Sequence, residues 1–152
     1  MKNSLSLLTL AVALQFAYPV YAASDSKTIV FVCLHGSVKS QMAAAHFNRI
    51  ARERGLPYTA VSRGIEVDAS IPTKIRDAPA DDVPLPLAAT EAEHAVDVVA
   101  FDAVPDDRRG VAEVHYWSDV PPATRNYTAA RDAIVRHIDD LVSALAARAG
   151  AP

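Results

Sequence analysis

Cys33 is the only cysteine in the 152 residues, and it ends the apolar run Thr28-Ile-Val-Phe-Val. The short segment Leu34-His35-Gly36-Ser37-Val38 follows, and then Lys39-Ser40-Gln41-Met42-Ala43 opens a stretch of helical periodicity. A strand-loop-helix turn of this kind presents successive backbone N–H groups to one spot, at the positive end of a helix dipole. A small oxyanion fits such a spot, and a thiol placed there is set up to act as a nucleophilic thiolate. The chemistry these residue types point to is attack of sulfur on a bound tetrahedral oxyanion, or its reduction. The loop amides from Leu34 to Ser40, with the Lys39 ammonium, form the expected oxyanion-binding set.

Around this loop the chain reads as alternating strands and helices. Thr28–Val32 is nearly continuous in β-branched and aromatic residues, as expected of a parallel strand buried on both faces. Lys39–Arg54 reads as a helix with Ala43, Phe47, Ile50 and Ala51 on one side, stopped by Gly55 and Pro57. Tyr58–Ser62, Val96–Phe101 and Glu113–Trp117 read as three further strands. Four prolines between Asp68 and Pro86 leave room only for a short helix near Thr73–Asp77. Thr90–Ala95 reads as a short helix capped by Thr90, with Glu93 completing a capping box. Asn126–Ala147 is the last helix, its buried stripe expected at Tyr127, Ala130, Ile134, Ile138, Leu141 and Leu145. This alternation predicts an α/β three-layer sandwich around a four-stranded parallel sheet. Right-handed crossovers give the order 2-1-3-4, with ligands at the carboxyl ends of the strands, where Cys33 lies.

The cysteine loop resembles that of the low-molecular-weight protein tyrosine phosphatases and their relatives, the thioredoxin-linked arsenate reductases. That superfamily reads apolar strand, Cys, five residues, Arg, then Ser or Thr and a helix. Cys33 stands at the nucleophile and Ser40 at the hydroxyl that steadies the thiolate. Ser40-Gln41-Met42-Ala43 is especially similar to the arsenate reductases. The resemblance continues through Ser62-Arg63-Gly64, Val96–Asp102 and Tyr116–Leu141, and it implies the phosphatase I-like fold. Lys39 stands where the superfamily has arginine, and His35-Gly36 where it usually has Gly-Asn. The general acid of the phosphatases comes from an Asp-Pro loop before the last helix. The matching segment is Trp117-Ser-Asp119-Val-Pro121-Pro122, in which Pro121 occupies the aspartate's place and Asp119 is the only carboxylate.

The resemblance implies cysteine-dependent hydrolysis of phosphomonoesters, of protein tyrosine phosphate type, through a phosphocysteine, with Cys33, Lys39 and Asp119 as catalytic residues. Lysine is a compact point charge and does not reproduce the bidentate fork of arginine. Loss of one preorganised donor costs ~2.7–4 kcal/mol of transition-state stabilisation, so weak catalysis is expected. An alternative is arsenate reduction, in which an external thiol reductant resolves the Cys33 adduct because no second cysteine exists for an internal relay. A second alternative is a non-catalytic domain that binds oxyanions. No cofactor and no metal is implied, since Cys33-Leu-His35 has no second ligand pair at metal-site spacing.

Residues 1–22 read as a secretory signal peptide: Lys2 is followed by an apolar run from Leu5 to Ala17 and by Val20-Tyr21-Ala22 before the expected cut. The mature chain, 23–152, is expected to be one exported domain, secreted or periplasmic, without stable membrane insertion. Removing Lys2 from the 15 basic residues leaves 14 against 18 acidic ones, a net charge of -4. That balance argues against nucleic-acid partners. A lone cysteine forms no internal disulfide. Gly36-Ser-Val-Lys39-Ser40 lacks the second glycine of a nucleotide P-loop, where Val38 stands. His35, inside the loop, is a candidate donor to the anion. His46, His94, His115 and His137 read as surface or core-edge residues. Arg63 reads as solvated or as part of the site's mouth, and Asp106-Asp-Arg-Arg109 as an exposed turn.

Overall fold

The computed structural model describes residues 27–73, 75, 81 and 83–150. The expected signal segment lies outside the described residues, as do positions 74, 76 and 77 of the expected short helix; Thr73 and Ile75 lie in a turn. The elements run β1 (Lys27–Cys33), α1 (Lys39–Glu53), β2 (Tyr58–Gly64), α2 (Ala89–His94), β3 (Asp97–Ala100), α3 (Asp106–Arg109), β4 (Val114–Tyr116) and α4 (Tyr127–Ala149). All pairings are parallel and the sheet order is β2-β1-β3-β4.

The central position of β1 follows from its composition. Side chains alternate across the sheet. Ile29, Phe31 and Cys33 therefore pack into the core under α1 and α4, while Val30 and Val32 join Leu87, Ala92, Val98, Ala100 and Val104 on the other face. Apolar residues on both faces make β1 useless at an edge. The edge strand β2 instead alternates in burial, and its outward backbone groups are covered. Asn48 of α1 bonds Ala60 through both amide atoms, at 2.7 and 2.8 Å, and Asp81 accepts from the Ser62 N–H at 3.1 Å. Polar groups at a free edge are thereby satisfied.

Helix α1 ends in a Schellman arrangement. Gly55, at φ +63°, donates to Arg52 O at 3.2 Å, and Leu56 donates to Ala51 O at 2.9 Å. Asn126 caps α4 by accepting from the Ala129 N–H at 3.0 Å. The buried stripe of α4 is Ala130, Ala133, Ile134, Ile138, Val142 and Leu145. Tyr127 and Leu141 are only half-buried. The stripe takes the four-residue step from Ile138 to Val142, which leaves Leu141 on its flank.

Thr90 does not cap α2. The helix begins at Ala89 behind an extended Ala88, so Thr90 lies inside the first turn. Glu93 turns to the neighbouring α3 and accepts from the Val111 N–H at 3.2 Å. Asp106–Arg109 is a single helical turn, α3, with Arg109 Nη2 2.6 Å from Asp106 Oδ1. No helix among the described residues is long and apolar enough to cross a membrane.

Candidate active site

The peptide units of the cysteine loop are oriented from outside. Leu34 O accepts from the Ile65 and Glu66 N–H groups at 2.9 and 2.8 Å, and His35 O accepts from the Asp68 N–H at 3.1 Å. Gly36 O accepts from Gln41 Nε2 at 3.3 Å, with Ser62 Oγ also at 3.3 Å. Every described peptide bond is trans. A trans peptide sets each N–H opposite the preceding C=O, so the N–H groups of His35, Gly36 and Ser37 face away from these anchors. Among the described residues, no backbone N–H from His35 to Ser40 has a protein acceptor. Helix α1 starts at this point with Val38 at the N-cap, no side-chain cap and no acid in its first turn. Unpaired donors at an uncompensated helix N-terminus are the arrangement that suits an anion.

The turn requires glycine twice. Gly36 has φ +66°, a region disfavoured for residues with a Cβ. A Cβ on Gly64 would stand 2.8 Å from Gly36 N and 2.9 Å from His35 C. The end of β2 thus lies directly against the loop and shapes its back.

Cys33 ends β1 in this turn, 4% exposed, with Sγ 3.0 Å from Ser40 Oγ. Ser62 Oγ donates to Ser40 Oγ at 2.8 Å. Lys39 lies nearby with its side chain 14% exposed; its Nζ is 3.2 Å from Asp102 Oδ2 and 3.3 Å from Oδ1. The ammonium also lies 5.5 Å from the centre of the Phe101 ring. Asp102 Oδ2 in turn accepts from the Leu34 N–H at 2.9 Å. Asp102 therefore fixes both the first amide of the loop and its cation. It is the site residue that sequence reasoning missed. Its signal was an acid just past β3, at the carboxyl end of a strand paired with β1.

The sequence profile described as Low molecular weight phosphotyrosine protein phosphatase matches residues 28–99, from β1 through most of β3. Among solved structures, YfkJ from Bacillus subtilis superposes with a TM-score of 0.67 at 18% identity, covering 80% of this chain and 96% of its own. The low molecular weight protein tyrosine phosphatase from T. tengcongensis gives 0.68 at 17%, covering 78% and 99%. The arsenate reductase from Archaeoglobus fulgidus DSM 4304 gives 0.55 at 21%, covering 76% and 98%. The fold is that of the low-molecular-weight phosphatase and arsenate reductase superfamily. No curated protein matches the sequence.

Against the superfamily pattern, Cys33, Lys39 and Ser40 come together in the loop, whereas Asp119 has its hydrogen bonds elsewhere. It follows β4 at the carboxyl end of the sheet, 65% exposed at the side chain, with both carboxylate oxygens on His137 Nε2 at 2.8 and 2.9 Å. The His137 ring stacks on Trp117 at 4.6 Å between centroids, and Trp117 packs against Phe31 and Phe101. The Asp119 loop is thus tied to α4 and seated on the core beneath the site.

His35 turns outward, its Nδ1 3.0 Å from Glu66 O and 3.6 Å from Asp68 Oδ1. That ring nitrogen is engaged by the segment after β2. Arg63 is neither solvated nor at the mouth. Its side chain is 12% exposed, with the guanidinium forked on Glu91 at 2.7 and 2.5 Å, and Nη1 lies 3.5 Å from Asp81. His115 pairs with the buried Asp97 at 2.8 Å, at the other end of the sheet from Cys33. His46 accepts from Arg49 through Nδ1 at 3.1 Å, so Nε2 carries the proton and is buried without a partner among the described residues. Burial first, and then the Arg49 charge, hold the His46 ring below the ordinary histidine range. No cluster of three or more His, Cys, Asp or Glu side chains able to hold a metal occurs among the described residues.

Proposed function

We propose that this chain hydrolyses phosphomonoesters, of the protein tyrosine phosphate type, through a phosphocysteine at Cys33. The observation that carries this reading is the run of amides from His35 to Ser40, unpaired among the described residues, beside a thiol hydrogen-bonded to Ser40 Oγ. Cys33 Sγ attacks phosphorus in line with the ester oxygen, forming S–P as P–O breaks. The loop amides and Lys39 take the charge on the equatorial oxygens. Asp119 donates its proton to the leaving oxygen after release from His137. Water then attacks phosphorus, returns a proton to Asp119 and frees the thiolate with inorganic phosphate. Lys39 supplies charge without a planar fork, so turnover is slow for this fold.

The pattern of residues 1–22 supports export of the remaining domain to a secreted or periplasmic location. The same cradle would take arsenate, and reduction there would draw on an external thiol, Cys33 being the sole cysteine. A binding role without turnover is favoured by two contacts, Lys39 held on Asp102 and Asp119 held on His137. Aryl phosphate turnover and inorganic phosphate binding, measured on the wild type and Cys33→Ser, separate these readings. Turnover in the wild type that vanishes in Cys33→Ser supports hydrolysis. Phosphate binding in the wild type without turnover of the ester or of arsenate leaves only the binding role.

A further inference from the structure

We infer that Asp68 is a positioning residue of the anion loop, tethering the two residues that flank Gly36. The inference rests on the oxyanion-binding reading of that loop. Asp68 meets the loop in three ways. Its N–H donates to His35 O at 3.1 Å, its Oδ2 accepts from Ser37 Oγ at 2.5 Å, and its Oδ1 lies 3.6 Å from His35 Nδ1. Ser37 is 2% exposed and uses its hydroxyl on this carboxylate. The hydrogen bond is charge-assisted and short, which makes it stronger than a neutral one.

Gly36 lies between the two tethered residues. Glycine has the widest backbone freedom of any residue, so a loop built on it needs outside constraints to keep its N–H groups aimed. Asp68 supplies one on each side, at the His35 carbonyl and at the Ser37 side chain. Donors held before the anion arrives bind it more tightly than donors that must be ordered on arrival. Among the described residues Asp68 makes no hydrogen bond or ion pair with Cys33 or Lys39. Its carboxylate also sets a negative charge near an anion site, so its tether and its charge act in opposite directions.

Asp68→Asn and Asp68→Ala separate the two effects, read by calorimetric titration with inorganic phosphate alongside urea unfolding. The asparagine oxygen still accepts from Ser37 while the charge is gone, so Asp68→Asn should bind phosphate at least as tightly as the wild type. Asp68→Ala should bind at least about tenfold more weakly, the scale of one hydrogen bond to a charged group. Ser37→Ala cuts the same bond from the other side, and the double variant should be no weaker than the worse single one. Ser37→Ala also preserves the test should Asp68→Ala fail to fold. Wild-type affinity in Asp68→Ala, equal weakening in a folded Asp68→Asn, or additive losses in the double variant would overturn the inference. Failure of the wild type itself to bind phosphate would instead remove the oxyanion-binding reading.

Discussion

Gly64→Ala tests the loop geometry without touching any group that does chemistry. The added Cβ would meet Gly36 N at 2.8 Å, His35 C at 2.9 Å and Val67 Cγ1 at 2.9 Å. The valine can rotate away, but the two backbone atoms belong to the loop. Restoring an ordinary contact of about 3.5 Å moves Gly36 N by roughly 0.7 Å. Overpacking of this kind costs about 1–3 kcal/mol of stability, and a shift near 1 Å at a reacting centre costs on the order of a hundredfold in rate. Gly55→Ala is the control, since Gly55 also has positive φ, +63°, but a Cβ there meets nothing within 4 Å. It should lose about 1–2 kcal/mol of stability with phosphate affinity intact. Urea unfolding with calorimetric phosphate titration reads both quantities for both variants. Unchanged phosphate affinity in Gly64→Ala, or an equal loss in Gly55→Ala, would refute the close approach as the shaper of the cradle.

Lys39→Arg restores a planar fork beside Asp102 and should raise aryl phosphate kcat roughly a hundredfold; an unchanged or lower kcat would show that the loop is not built for that clamp. Asp119→Asn should lower kcat for an aryl phosphate with a poor leaving group and spare phosphate affinity, whereas unchanged turnover removes Asp119 as the acid. His46 is held below its unfolded value, so the unfolded chain takes up the proton first. Its contribution to stability is therefore intact above about pH 6.5 and is lost as pH falls below it. Between about pH 7.5 and 5.5, urea midpoints should fall further for the wild type than for His46→Gln, and equal falls would contradict this assignment.

The sheet order and the cysteine turn were legible because each rests on a local pattern. The apolar run of β1 demands two covered faces, and Gly36 with the helix behind it demands a tight turn. Lys39 and Ser40 follow from the same short stretch. What escaped the sequence depends on contacts between distant segments. Asp102 is separated from Lys39 by two strands and two helices, and only the β1–β3 pairing brings them together. Asp68 and Arg63 read as ordinary charged residues until the chain after β2 folds along the loop. Thr90 and Glu93 matched a capping box by spacing, yet Glu93 has a better use at the turn after α3, where it accepts from the Val111 N–H. In α4 the choice between Leu141 and Val142 depends on which residue meets the core, a difference that periodicity alone does not resolve.

The most direct test is acid quenching of wild-type protein within its first turnover of an aryl phosphate, followed by mass analysis of the peptide containing Cys33. A phosphoryl group on Cys33 that forms with aryl alcohol release, and decays as inorganic phosphate appears, is the expected result. Steady release of both products from a protein whose Cys33 stays unmodified would contradict attack by this sulfur.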